Sequence, residues 1–157
     1  MNVELKTLGP ADAAVLDHVA DSLFDSPVSS LLTAEFLNDP RHHLVVALDA
    51  ARVIGFVSAV HYVHPDKAPE LWINEVSVAT AYRRQGLARQ LIEAMFALGK
   101  AHGCVEAWVG TERSNAAAMA LYRSVGGQEP LPDPVYFTFA LPDRASARSN
   151  PSLGIER

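Results

Sequence analysis

The chain has 157 residues and a mass of 17.0 kDa, enough for one domain with a continuous core, and 49% hydrophobic against 20% charged residues excludes a disordered or fibrous protein. The formal net charge of −5 is not evenly spread: residues 1–40 sum to −6 and residues 41–157 to +1. A single cysteine, Cys104, excludes an internal disulfide and a cysteine-rich metal site, and no apolar run approaches the roughly 20 residues that span a bilayer.

The amino terminus has no basic region followed by an apolar core, so the expected location is the cytoplasm, with no membrane partner. The acidic first quarter disfavours phosphate contacts with nucleic acid there and suits a cationic partner.

Alternation over residues 3–8 predicts a strand, which Gly9-Pro10 ends. A helix is expected from Ala11 onward, with Val15, Leu16, Val19, Ala20, Leu23 and Phe24 at helical spacing and Asp17, Asp21 and Asp25 in a stripe on another face. A second helical segment over about 29–37 stops at Asn38-Asp39-Pro40. Residues 44–48 and 53–62 read as a hairpin around a short polar break, and 71–78 as the next strand. A long amphipathic helix is predicted over about 86–102, with Leu87, Leu91, Met95 and Leu98 inward and Gly103 at its C-terminal cap. A strand over 104–109, a helix over 114–125 closed by Gly126-Gly127, and a last alternating strand over 135–141 complete the order. That order describes an α/β (α+β) mixed sheet with helices on both faces in a single domain, 1–142, followed by a flexible tail, 143–157.

The most informative stretch is the strand-to-helix turn Val78-Ala79-Thr80-Ala81-Tyr82-Arg83-Arg84-Gln85-Gly86-Leu87-Ala88. Amides at a helix start have no intrahelical partner, and the helix dipole adds positive potential there. Gly86 allows close approach to the backbone, Ala88 leaves the first turn uncrowded, and Arg83 and Arg84 add charge, so phosphate is the natural ligand. The glycine patterns of nucleotide hydrolases and dinucleotide oxidoreductases are both missing.

Arg83-x-x-Gly86-x-Ala88 after a strand resembles the Arg/Gln-x-x-Gly-x-Gly/Ala pyrophosphate motif of the GNAT superfamily of acetyl-CoA-dependent N-acetyltransferases, and the element order is similar over about residues 3–141. The resemblance implies a mostly antiparallel sheet of six to seven strands flanked by about four helices, with acetyl-CoA as co-substrate. It implies that Arg84, Gln85, Gly86, Leu87, Ala88 and Arg89 hold the pyrophosphate and that the backbone of Val76, Ser77 and Val78 pairs with the pantetheine arm. A second landmark is Asn115 followed two helical turns later by Tyr122. The family uses such an Asn to bind the coenzyme arm and such a Tyr to protonate the departing thiolate. Taken singly, the two residues read as a helix cap and a core tyrosine.

Amide formation also needs a base, because only the free amine is nucleophilic. Glu75, set in the otherwise apolar stretch 71–78, is the candidate, and the N–H of Val76 is the candidate oxyanion donor. A solvated or strand-paired Glu75 is the competing reading. No histidine is assigned to a metal: His61-x-x-His64 lacks a third ligand, His42-His43 opens a strand, and His102 ends a helix. Cys104, Trp72 and Trp108 read as packing residues.

The middle of the chain, from Leu44-Val45-Val46-Ala47-Leu48 through Asn74-Glu75-Val76-Ser77-Val78, is similar to the type I aminoglycoside 3-N-acetyltransferases, with Glu at 75 where Asp is usual. This implies a polycationic antibiotic as acceptor, held by Asp21, Asp25, Glu35 and Glu75, and a resistance role. A polyamine, another small amine or a protein amino group would use the same machinery. A non-catalytic acetyl-CoA sensor is the alternative of another class. Many relatives pair through the sheet edge or last strands, so a homodimer is an expectation too.

Overall fold

In the computed structural model, described over residues 3–130, 133 and 135–141, five strands form one sheet in the order β1-β2-β3-β4-β5. The strands are β1 (Val3–Leu8), β2 (His42–Asp49), β3 (Arg52–Tyr62), β4 (Glu70–Val78) and β5 (Glu106–Val109). The first four run antiparallel to their neighbours, and β5 joins β4 in parallel, which makes the sheet mixed. The helices are α1 (Ser30–Asn38), α2 (Leu87–Ala101) and α3 (Ala116–Ser124), with 3-10 turns at Pro10–Asp17 and Thr80–Tyr82.

Both sheet faces are covered, so β2 and β3 are apolar at consecutive positions instead of alternating. On one face, Val45, Ala47, Val57, Leu71 and Ile73 pack against Leu87, Leu91 and Met95 of α2. Leu91, Ile92 and Met95 are at most 1% exposed, and burying each contributes about 1.5–3 kcal/mol. Gly99 brings the last turn of α2 onto β4: a Cβ there would lie 2.9 Å from Leu71 Cδ2. On the other face, Leu44, Val46, Val53 and Phe56 pack against Leu16, Ala20, Leu23 and Leu37. Phe24 stacks on Phe56 with ring centroids 4.1 Å apart.

Two expectations are corrected. The first helix ends at Asp17, because the N–H of Val53 donates to His18 O and that of Ala20 to Val53 O, both at 2.8 Å, drawing 18–20 into a bridge beside β3. Asp17, Asp21 and Asp25 therefore share no helical face. The sheet has five strands, not six or seven, since the described residues of 135–141 form no strand. Alternation produces a strand only where a partner edge pairs with it, and Val135, Tyr136, Phe137, Phe139 and Leu141 are 69–91% exposed. One compact unit ends at Gly127, and the described residues from Gln128 onward belong to a second. The tail expected over 143–157 lies outside the described residues.

Candidate active site

The register between β3 and β4 slips by one residue: Ser58 faces Glu75 and Ala59 faces Ile73, leaving Asn74 as an unpaired bulge. Side chains alternate along a strand, so one extra residue exchanges the faces beyond it. Leu71 and Ile73 point to the α2 face before the bulge, and Val76 and Val78 point there after it. Glu75 is thereby turned to the opposite face, among Phe56 and Ser58. Burial and, secondarily, the charge of Asp25 hold its pKa above the usual carboxylate value.

The bulge also marks where β5 leaves. The parallel ladder pairs Glu70–Ile73 with Glu106–Val109 and stops, so beyond Ile73 the strand keeps β3 on one edge and has no ladder partner on the other among the described residues. The backbone of Val76, Ser77 and Val78 lies in this open-edged stretch, which is able to pair with an extended ligand as an added strand would.

β4 then enters the turn that the sequence marks as a phosphate site. The Thr80–Tyr82 turn is fixed by Tyr82, whose hydroxyl donates to Asp49 Oδ2 at 2.8 Å. Arg83 folds back, its Nε donating to Val78 O at 2.9 Å, and so braces the turn. Arg84 and Gly86 both take left-handed backbone conformations, with φ of 63° and 81°, and Gly86 is the N-cap of α2. Gln90 N–H makes a helical bond to Gly86 O at 3.1 Å, so the amides of Leu87, Ala88 and Arg89 precede the ladder. This is a fit for pyrophosphate: consecutive free amides at a helix start, little side-chain bulk at Gly86 and Ala88, and exposed Arg84 beside them. The Arg89 side chain pairs with Glu93 at 2.8 Å on the exposed face of α2.

Asn115 caps α3, its Oδ1 accepting from Ala118 N–H at 3.0 Å, and its side-chain NH2 remains a donor. Tyr122 lies two turns along, and burial raises its pKa, so the phenol keeps its proton at neutral pH.

A cavity of about 330 Å³ opens on the Glu75 face between β3, β4, α1 and the 24–29 segment. Phe24, Leu32, Phe36 and Phe56 make its wall mainly apolar, and Glu75 and Asp25 are its acidic side chains. The four expected acceptor carboxylates are therefore not together. Asp21 is fully exposed and pairs with Arg52 at 3.3 Å, and Glu35 sits on the exposed side of α1, outside the cavity lining. The apolar wall is the feature that sequence reasoning missed, although Phe24, Leu32 and Phe36 carried the signal.

A bulged strand bearing a carboxylate, an open strand edge and a glycine-capped anion turn define an acyltransferase of the acetyl-CoA type. The acetyltransferase (GNAT) family matches residues 13–126, and the chain belongs to that family of acetyl-CoA-dependent N-acetyltransferases. It is 27% identical over 114 residues to an uncharacterised N-acetyltransferase of Mycobacterium tuberculosis, covering 73% of this chain and 70% of the relative. It is 32% identical over 100 residues to N-alpha-acetyltransferase 30 of Schizosaccharomyces pombe, covering 64% and 67%. Among solved structures, an aminoglycoside acetyltransferase from an uncultured soil metagenomic sample superposes with a TM-score of 0.73 at 22% identity, covering 90% of this chain and all of that one. That likeness is one of fold. No helix among the described residues is long and apolar enough to cross a membrane.

Proposed function

We propose that the protein acetylates a primary amine carried on an apolar body, by direct attack of the amine in a ternary complex. The observation that carries this reading is the cavity: a mainly apolar wall of about 330 Å³ with Glu75 beside β4. The ammonium pairs with Glu75, and the rest of the substrate removes apolar surface from water.

Acetyl-CoA supplies the activated acetyl thioester. The amides at 84–89 hold its pyrophosphate, with Arg83 bracing the turn, and the open edge at Val76, Ser77 and Val78, with the Asn115 amide, receives its pantetheine arm. Glu75 takes the proton of the ammonium, directly or through one water, and its raised pKa brings its basicity closer to the working pH. The Val76 N–H donates to the developing oxyanion, and the neutral Tyr122 phenol donates its proton to the departing thiolate.

N-alpha-acetyltransferase 30, by its name, acts on an α-amino group, and a peptide starting with an apolar residue has the same chemistry as the cavity. A second reading, an aminoglycoside acetylated at a 3-amino group with a resistance role, is favoured by one observation: Asp25 stands close enough to Glu75 to raise its pKa, giving two carboxylates for a polycation. A panel of aromatic and aliphatic monoamines, apolar-start peptides, spermidine, and kanamycin- and gentamicin-type aminoglycosides separates the two by thiol release from acetyl-CoA. The expected result is a kcat/KM for apolar amines about tenfold or more above the polycations. The reverse ranking supports the aminoglycoside, and acetyl-CoA binding without turnover on any amine supports a sensor.

A further inference from the structure

Three histidines that are far apart in the sequence converge on the α2 face of the sheet. His43 of β2 is 5% exposed, and its Nε2 lies 2.7 Å from Nδ1 of His61 on β3. His102, the C-cap of α2, closes the group, with its ring centroid 4.6 Å from that of His43 and 4.8 Å from that of His61. One nitrogen of each ring lies within 4.8 Å of the other two.

Each imidazole sits on independently fixed backbone. His43 is held in the β2–β3 ladder opposite Ala59, His61 donates its N–H to Arg41 O at 2.9 Å, and His102 donates its N–H to Leu98 O and Gly99 O at 3.2 and 3.1 Å. The backbone thus brings the three imidazoles together, and their side chains adjust to reach ligating distance. We propose that His43, His61 and His102 form a binding site for a divalent transition-metal ion such as Zn2+, tying β2 and β3 to the C-terminal end of α2.

Three neutral nitrogens without a carboxylate favour Zn2+, Ni2+, Co2+ or Cu2+ over Mg2+ and Ca2+. Tetrahedral ligation needs nitrogens about 3.3 Å apart, so the His43–His61 pair opens slightly from its hydrogen-bonded spacing. The proton shared between them moves to the far nitrogen of the donating ring. Exposed His102 leaves the fourth position open to water. The C-terminus of α2 adds negative potential that favours a cation. Besides His102 itself, the charged groups acting on His61 are Arg41 and Asp39, which pair with each other through two hydrogen bonds. Fifteen residues of α2 separate this cluster from the anion turn, about 22 Å, so the site is distinct from the acetyl-transfer machinery.

The test is titration of the full-length chain, free of any polyhistidine tag, with Zn2+ by calorimetry and thermal melting, and with Co2+ by visible absorption. The expected result is one Zn2+ per chain, a raised Tm and the absorption of low-coordinate cobalt. His61→Ala and His102→Ala should each weaken binding by about tenfold or more, while His18→Ala leaves it unchanged. Absence of binding by the native chain overturns the proposal, as does binding that survives both ligand substitutions or falls equally in His18→Ala.

Discussion

At the residue scale, the environment of Glu75 separates its role from that of an ordinary surface carboxylate. Its pKa is raised by burial first and by Asp25 second, so Asp25→Asn removes a like charge and shifts the acidic limb of the kcat/KM–pH profile to lower pH. An unshifted limb means that Asp25 does not act on the titrating base. Asp21→Asn leaves the limb in place, because Asp21 is fully exposed and faces Arg52. Gly86 presents a different constraint: at φ 81° a side chain is strained even though a Cβ has room, its nearest neighbour being Gln90 Nε2 at 4.0 Å. Gly86→Ala is expected to cost about 1 kcal/mol in urea unfolding and to raise the KM for acetyl-CoA more than that of the amine. Tyr122→Phe should lower kcat with little change in either KM, since a proton donor to the leaving group acts in the transition state.

At the element scale, most strands and helices were legible because their apolar period was unbroken. β1, β3, β4 and α2 fall within a residue or so of their predicted ends, and α1, expected over about 29–37, runs Ser30–Asn38 with Ser29 as its cap. The motif turn was legible because the backbone itself needs Gly86, at φ 81°, where the helix starts. Three features were not. The bulge at Asn74 is a property of the β3–β4 pair, and nothing within β4 alone announces it. The helix that stops at Asp17 was overridden by backbone pairing with Val53, a contact 33 residues away from Ala20. The strand over 135–141 had the pattern but no partner edge. The hairpin between β2 and β3 was legible from its polar break, but its turn type was not: Ala50 and Ala51 both take positive φ, 48° and 68°, where Asn-Gly is the usual choice. Replacing Ala50-Ala51 by Asn-Gly should therefore raise unfolding stability by roughly 1 kcal/mol, read from the urea midpoint. A loss of stability contradicts the strained-turn description.

At the scale of the compact unit ending at Gly127, the acidic first quarter takes on a different meaning. Asp39 pairs with Arg41 at 2.8 Å and Asp21 with Arg52 at 3.3 Å, so two of the six net negative charges of residues 1–40 are offset by cations from the rest of the chain. Of the acidic residues in that segment only Asp25 reaches the cavity, where it joins Glu75, so the apolar wall carries more of the proposed acceptor reading than the charge asymmetry does. Phe56 joins the core to that wall, 1% exposed beneath Phe24. Phe56→Ala is accordingly expected to cost about 3–5 kcal/mol.

The proposed base for acetyl transfer is Glu75, which the bulge in β4 turns toward an apolar cavity. That role is tested most directly by kcat/KM against pH for the best amine of the panel, with the native chain and with Glu75→Gln. The account predicts a fall of about 100-fold or more in the variant at neutral pH, loss of the acidic limb, and an acetyl-CoA KM within about twofold of native. A variant that keeps both the native rate and the acidic limb contradicts it.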